Sequence, residues 1–156
     1  MVLETALFMP VLVLLIAGMV QIGKVTYLYY TLKKIVYAAG RGVAVQQGVN
    51  FCGDVAADAT AQAAINLAVN DTTGTPIIAN LPPIQIATQC TDPATPGGAL
   101  IPCDTSNCDA LNLGQRPDFL VVTLAGGYTV QVRIPFLNPI PVTLNPSVTV
   151  PFGGVS

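Results

Sequence analysis

From Thr5 to Ile22 the chain runs 18 residues with a single strongly polar side chain, Gln21. As a helix this run spans roughly 27 Å, about the hydrocarbon thickness of a bilayer. The same composition suits a helix buried inside a protein assembly, and hydropathy does not separate the two settings. A secretory signal peptide is a poor fit. The charge at the head of the run is Glu4 rather than a Lys/Arg cluster, and the run is longer than the usual apolar core of such a peptide.

Beyond the run the pattern becomes one-sided. Val25, Leu28, Tyr29, Leu32, Ile35, Val36, Ala39 and Val43 recur at three- and four-residue steps, while Lys24, Tyr27, Tyr30, Lys34, Tyr37 and Arg41 take the opposite stripe. These stripes predict one helix from about residue 3 to the mid-40s, apolar all round at first and amphipathic later. Gly40, Gly42 and Gly48 are expected to weaken its end. Asp54 is a suitable N-cap for a second, alanine-rich helix near 55–69, which the Asn70–Pro76 turn sequence would end.

The rest differs in chemistry. Residues 1–50 carry four cations against Glu4, a net +3; residues 51–156 carry two arginines against seven aspartates, a net −5. Of the 13 prolines only Pro10 precedes Pro76, and all four cysteines lie beyond residue 50. Two regions are expected: a helical arm over 1–50 and a proline-punctuated, mainly β body over 51–156. Phe119–Ala125 and Tyr128–Phe136, separated by Gly126-Gly127, read as a hairpin. Val148–Phe152 alternates as a third strand, and Ile84–Thr88 is a candidate fourth. Pro135, Pro139, Pro141, Pro146 and Pro151 should confine their segments to edges or bends. The predicted class is α+β, a long N-terminal helix followed by a short helix and a small antiparallel sheet.

Composition excludes several functions. Histidine and tryptophan are absent, so neither a Ser-His-Asp nor a Cys-His site can be built. Only 9% of residues are charged, against roughly a quarter ordinarily, and six cations are too few for a nucleic-acid surface. At 52% hydrophobic the chain is not disordered by composition. No enzymatic activity, cofactor, metal or nucleic-acid partner is expected.

Glu4 needs an explanation, because a carboxylate at the head of an apolar helix is costly in lipid or in a packed bundle unless paired. It either sits at the headgroup level and favours the helix start, or neutralises a positive group of a neighbouring copy, most simply an α-amino terminus. Glu4 followed by the apolar run, Pro10 six residues later, Gly18-Met-Val-Gln-Ile-Gly23, and Ala38-Ala39-Gly40-Arg41-Gly42 together resemble the TadE-like proteins, pilin-like subunits of tight-adherence systems. Gln21 stands where that family commonly has a second glutamate. The resemblance covers the first 45 residues well and the last 40 loosely.

The resemblance implies a structural subunit whose helix anchors it in the inner membrane and then forms the core of a helical homopolymer, an extracellular surface filament. It also implies a prepilin peptidase and a secretion and assembly apparatus as partners; Met1 is then either the processed terminus or a start that is misassigned or trimmed. As written, the basic residues follow the apolar run, which would place the body in the cytoplasm by the positive-inside rule; loss of a basic leader would remove the conflict. Met1, Glu4, Pro10, Leu14, Gly18, Gly23, Leu28, Leu32 and Val36 are the expected assembly residues. Two alternatives stay open: a minor component that primes or tips a fibre, and a monomeric single-pass anchored module that binds a ligand through its loops.

Cys52, Cys90, Cys103 and Cys108 are expected to form disulfides, consistent with an oxidising compartment. Three connectivities are possible; Cys103–Cys108 as a local clasp with Cys52–Cys90 is favoured. Asp104, Ser106, Asn107 and Asp109 read as a solvated turn more than a calcium loop. Asn70-Asp71-Thr72 matches a glycosylation sequon, a motif common by chance. Tyr27, Tyr29, Tyr30 and Tyr37 read as packing residues rather than an electron path.

Overall fold

A computed structural model describes residues 2–92, 99–104, 116–134 and 138–153, with side chains from Phe8 onward. Helix α1 runs from Val2 to Ala44 without a break, as the two-phase pattern predicts. Gly40 and Gly42 lie inside it rather than ending it. A Cβ at Gly40 would come within 2.8 Å of Val122 Cγ2, and one at Gly42 within 3.1 Å of the Ala64 side chain. Both glycines therefore permit close approach of the helix to its neighbours. The chain turns away at Gly48, whose φ of +80° is readily available only to glycine.

The second helix differs from expectation. Asp54 caps only a 3₁₀ turn, Val55–Ala57, while Asp58 caps helix α2, Ala59–Val69. The Asp58 carboxylate accepts the N–H groups of Thr60 (2.9 Å) and Ala61 (3.1 Å). Two aspartates four residues apart each favour a cap over a helix interior, which splits the predicted single helix. The Gln62 amide donates across the seam to the Ala56 carbonyl. Helix α2 ends at Asn70, which bridges to Pro76 across the predicted turn.

Six strands follow among the described residues: β1 Ile84–Thr91, β2 Leu100–Pro102, β3 Phe119–Leu124, β4 Tyr128–Val132, β5 Ile140–Leu144 and β6 Val148–Pro151. They form an antiparallel sheet of order β2-β1-β3-β6 and a separate two-stranded ribbon, β4-β5. The expected β3–β4 hairpin is absent. The Leu124–Gly127 turn closes with a 3.2 Å hydrogen bond, and of its central residues Ala125 and Gly126 only the glycine has positive φ, +71°. That geometry splays the flanking strands, whereas a two-residue hairpin turn of the I′ kind needs both φ values positive. Strand β3 instead pairs with β1 and β6, and β4 with β5. Pro141 and Pro151 sit in edge strands as expected. Pro135 and Phe136 lie outside the described residues.

One core joins helix and sheet. Leu32, Ile35, Val36, Ala39 and Val43 of α1 pack with Ala61, Ala64 and Ile65 of α2 and with Ile84, Ile86, Leu120, Val122, Leu124 and Val150 of the sheet. The strand residues alternate, so one face of the sheet is covered by the helices. Phe51 and Phe152 meet edge to face at 5.3 Å and close one end of this core.

The disulfide pairing corrects the sequence reading. Cys90 bonds to Cys103, with Cα atoms 5.0 Å apart, so neither Cys103–Cys108 nor Cys52–Cys90 forms. Pairing of β1 with β2 places Cys90 opposite Ile101 and Gln89 opposite Pro102, which carries the following Cys103 within bonding reach. Register across the strands decides this pairing, and spacing along the chain does not show it. Cys52 is also disulfide-bonded; Cys108 lies outside the described residues.

Candidate assembly and anchoring face

Among the described residues, no side chain of α1 from Phe8 to Gly23 is buried by the rest of the chain. Phe8, Met9, Leu15, Ile16, Met19 and Ile22 are all more than half exposed, Ile22 at 70%. None of the helix's most apolar window is buried, and α1 is long and apolar enough to cross a membrane by length and composition. An uninterrupted apolar surface of this size on a folded body marks a membrane or protein interaction site.

The expected assembly residues fall into two groups. Pro10, Leu14, Gly18 and Gly23 lie on the exposed half, and Leu28 is half-buried. Leu32 and Val36 are instead fully shielded in the chain's own core and offer no surface to a neighbour. The amphipathic pattern was the signal: a one-sided stripe packs against the attached body, and only the all-round apolar stretch is left over. Pro10 sits within the helix and has no N–H for the carbonyl four residues earlier, a local weak point in the ladder. Glu4 lies in the first turn of α1 by its backbone; Met1 and the Glu4 side chain lie outside the described residues.

Past the exposed span comes a polar and aromatic collar. Lys24 is exposed, Tyr27 and Tyr30 are largely so, and Tyr29 and Tyr37 are partly so. The Tyr37 hydroxyl accepts from Arg41 at 3.2 Å, and the Thr31 hydroxyl donates to the Tyr27 carbonyl at 2.9 Å. Tyrosine combines an apolar ring with a polar tip, which suits a boundary between apolar and aqueous surroundings.

A feature the sequence reading missed lies beside this collar. The Gln21 amide donates to the Arg133 carbonyl at 2.8 Å and ties the end of β4 to α1. At the other end of the strand the Tyr128 hydroxyl donates to the Ala79 carbonyl at 3.3 Å. The ribbon stands off from the helix in between. One groove of about 490 Å³ includes Gln21, Lys24, Val130 and Arg133 in its lining; a second of about 290 Å³ is lined by Gly18, Ile22, Val25, Val132 and Ile134 among others. The signal was Gln21 itself, the one strongly polar side chain in the apolar run.

Two acidic groups on the body are held in well-defined turns. The Asp71 carboxylate accepts from the hydroxyls and N–H groups of Thr73 and Thr75, with the Thr73 hydroxyl at 2.6 Å. These donors, the Thr73 hydroxyl foremost, hold its pKa well below the usual carboxylate range. Asp118 accepts the Thr91 N–H at 2.6 Å, which lowers its pKa in the same way. Asn70 of the sequon is half-buried at the Pro76 bridge. Of the oxygen-rich loop only Asp104 is described.

No curated protein and no solved structure matches the chain. The arm does match: residues 1–41 fit the family model described as TadE-like protein, the family that the N-terminal motifs resemble.

Proposed function

We propose that this chain is a pilin-like structural subunit that polymerises through α1 into an extracellular surface filament. The observation that carries the reading is the exposed apolar half of α1 on a folded, disulfide-tied body, within a segment that matches the TadE-like family. Residues 1–50 serve as membrane anchor before assembly and as filament core afterwards, and residues 51–156 form the outer shell. A prepilin peptidase and an assembly apparatus process and assemble the subunit. Contacts between copies run through Pro10, Leu14, Gly18 and Gly23, with Glu4 neutralising a positive group of a neighbour. Head-to-tail packing that does not close into a ring gives an open helical polymer, as a filament needs.

Electron microscopy of material sheared from cells expressing the chain tests this reading. Filaments composed mainly of this chain are expected, and Glu4→Ala should reduce their yield while the body stays folded. Recovery only as a lone, detergent-extracted membrane protein, with the assembly apparatus present, would overturn it in favour of an anchored binding module. Traces of this chain in fibres built from another pilin would make it a minor component instead.

A further inference from the structure

We infer that the space between α1 and the β4–β5 ribbon is a binding site for one anionic phospholipid. This rests on the anchor part of the function proposed above and not on the filament part. The apolar span from Thr5 to Ile22 matches the hydrocarbon thickness, so Gln21 and Lys24 fall at the headgroup level on the side where the body begins. The end of the ribbon is held at that same level by the Gln21–Arg133 hydrogen bond.

The two grooves share Gln21 and Val25 in their linings and differ in chemistry. The one reaching down to Gly18 is walled by Ile22, Val25, Val132 and Ile134, with nothing charged in its lining. Gly18 leaves it open, since nothing lies within 4 Å of where a Cβ would stand. The other has two basic residues, Lys24 and Arg133, among those that line it, and no acidic one. An acyl chain fits the first and a phosphate diester the second. Lys24 supplies a point charge and Arg133 a fork suited to phosphate oxygens. The Thr5–Ile22 stretch of a second copy would fill the apolar slot but carries no anion of its own, whereas a phospholipid brings an acyl chain and a phosphate together, so charge complementarity favours the lipid.

The test uses the full chain reconstituted in vesicles of phosphatidylglycerol and phosphatidylcholine in equal parts, extracted in mild detergent and weighed intact by native mass spectrometry. One retained phosphatidylglycerol per chain is expected, in preference to phosphatidylcholine. Lys24→Gln with Arg133→Gln should lower that retention roughly tenfold. The charge-matched control, Lys33→Gln with Arg116→Gln, should not. Gly18→Leu, which fills the slot without touching the core, should lower retention of both lipids. Equal retention in the two double variants, or equal retention of the two lipids, would overturn the inference, as would a dimer in place of a lipid adduct. Circular dichroism of each variant confirms the fold. Filament yield is scored separately, so failure of lipid binding and failure of assembly are distinguishable.

Discussion

Along α1, Leu14, Leu15 and Ile16 lie on the surface, while Leu32, Ile35 and Val36, of the same chemistry on the same helix, are shielded from solvent. Helix propensity does not distinguish these residues. The second half has an apolar stripe on one side only, and the attached body supplies a sheet face and α2 to cover it. The first half is apolar all round, and no face of a single small body could cover it. Burial within the chain thus stops near where amphipathicity stops. The remaining apolar surface is of the kind covered by a membrane or by another protein surface.

The comparison breaks most visibly if equal substitutions in the two halves have equal effects. Leu32→Ala should destabilise the body by about 2–5 kcal/mol, since a fully buried leucine leaves a cavity. Leu14→Ala should change body stability by no more than about 0.5 kcal/mol and should weaken vesicle insertion instead. Denaturant unfolding of the full chain in micelles, followed by near-ultraviolet circular dichroism, measures the first effect and vesicle flotation the second. Next in size is the Cys90–Cys103 bond, which lies in the sheet away from the arm. Replacing both cysteines by serine should cost the body about 3 kcal/mol for a loop of this length, with insertion unchanged. Loss of insertion in that variant would show that the arm depends on the body for more than attachment.

How much of this was legible beforehand follows from the range of the forces involved. The extent of α1 was readable because its two hydrophobic patterns are local and span many turns. The split of the second helix was not, although both caps were visible, because Asp54 and Asp58 compete on differences near 1 kcal/mol. The β3–β4 hairpin was misread because Gly126-Gly127 fixes positive φ at both glycines without fixing the turn's register. The central pair is Ala125–Gly126, one residue earlier than the glycines suggest. The disulfide was misassigned for a related reason: it depends on β1–β2 register, a non-local property. Exposure of the apolar half was legible, whereas the ribbon beside it was not. Its strand β5 carries Pro141, which confined the segment to an edge or a bend without deciding between them.

Glycine sharpens the same comparison with a smaller effect. Gly40→Ala gains about 1 kcal/mol of helix propensity but drives a methyl group to 2.8 Å from Val122 Cγ2 and 3.1 Å from Val150 Cγ2. Those β-branched side chains sit in paired strands and cannot swing away, so overpacking of about 1–3 kcal/mol outweighs the gain. A net loss in body stability is expected. Gly18→Ala, with open space around it, should leave the body unchanged and raise the helicity of the arm. Urea midpoints of the two variants decide the sign, and a stabilised Gly40→Ala would mean that helix and sheet are less closely packed than the contact distances indicate.

The smallest effect concerns acid. Asp71 accepts its hydrogen bonds as a carboxylate, so its pKa in the folded chain lies below that in the unfolded chain. Its contribution to the turn after α2 is therefore complete above the ordinary carboxylate range and declines as pH falls through that range toward the lower folded value. Unfolding midpoints of the chain and its Asp71→Asn variant should differ by a constant amount above about pH 5 and converge below about pH 4. A difference that stays constant into strong acid would mean that the threonine bonds do not depend on the charge. The exposed half from Phe8 to Ile22 has no titratable side chain, and in a Glu4→Gln background vesicle insertion should stay flat over the same interval. Insertion that followed the Asp71 curve would show the turn controlling the arm, and the two halves of α1 would then have to be treated as one cooperative unit.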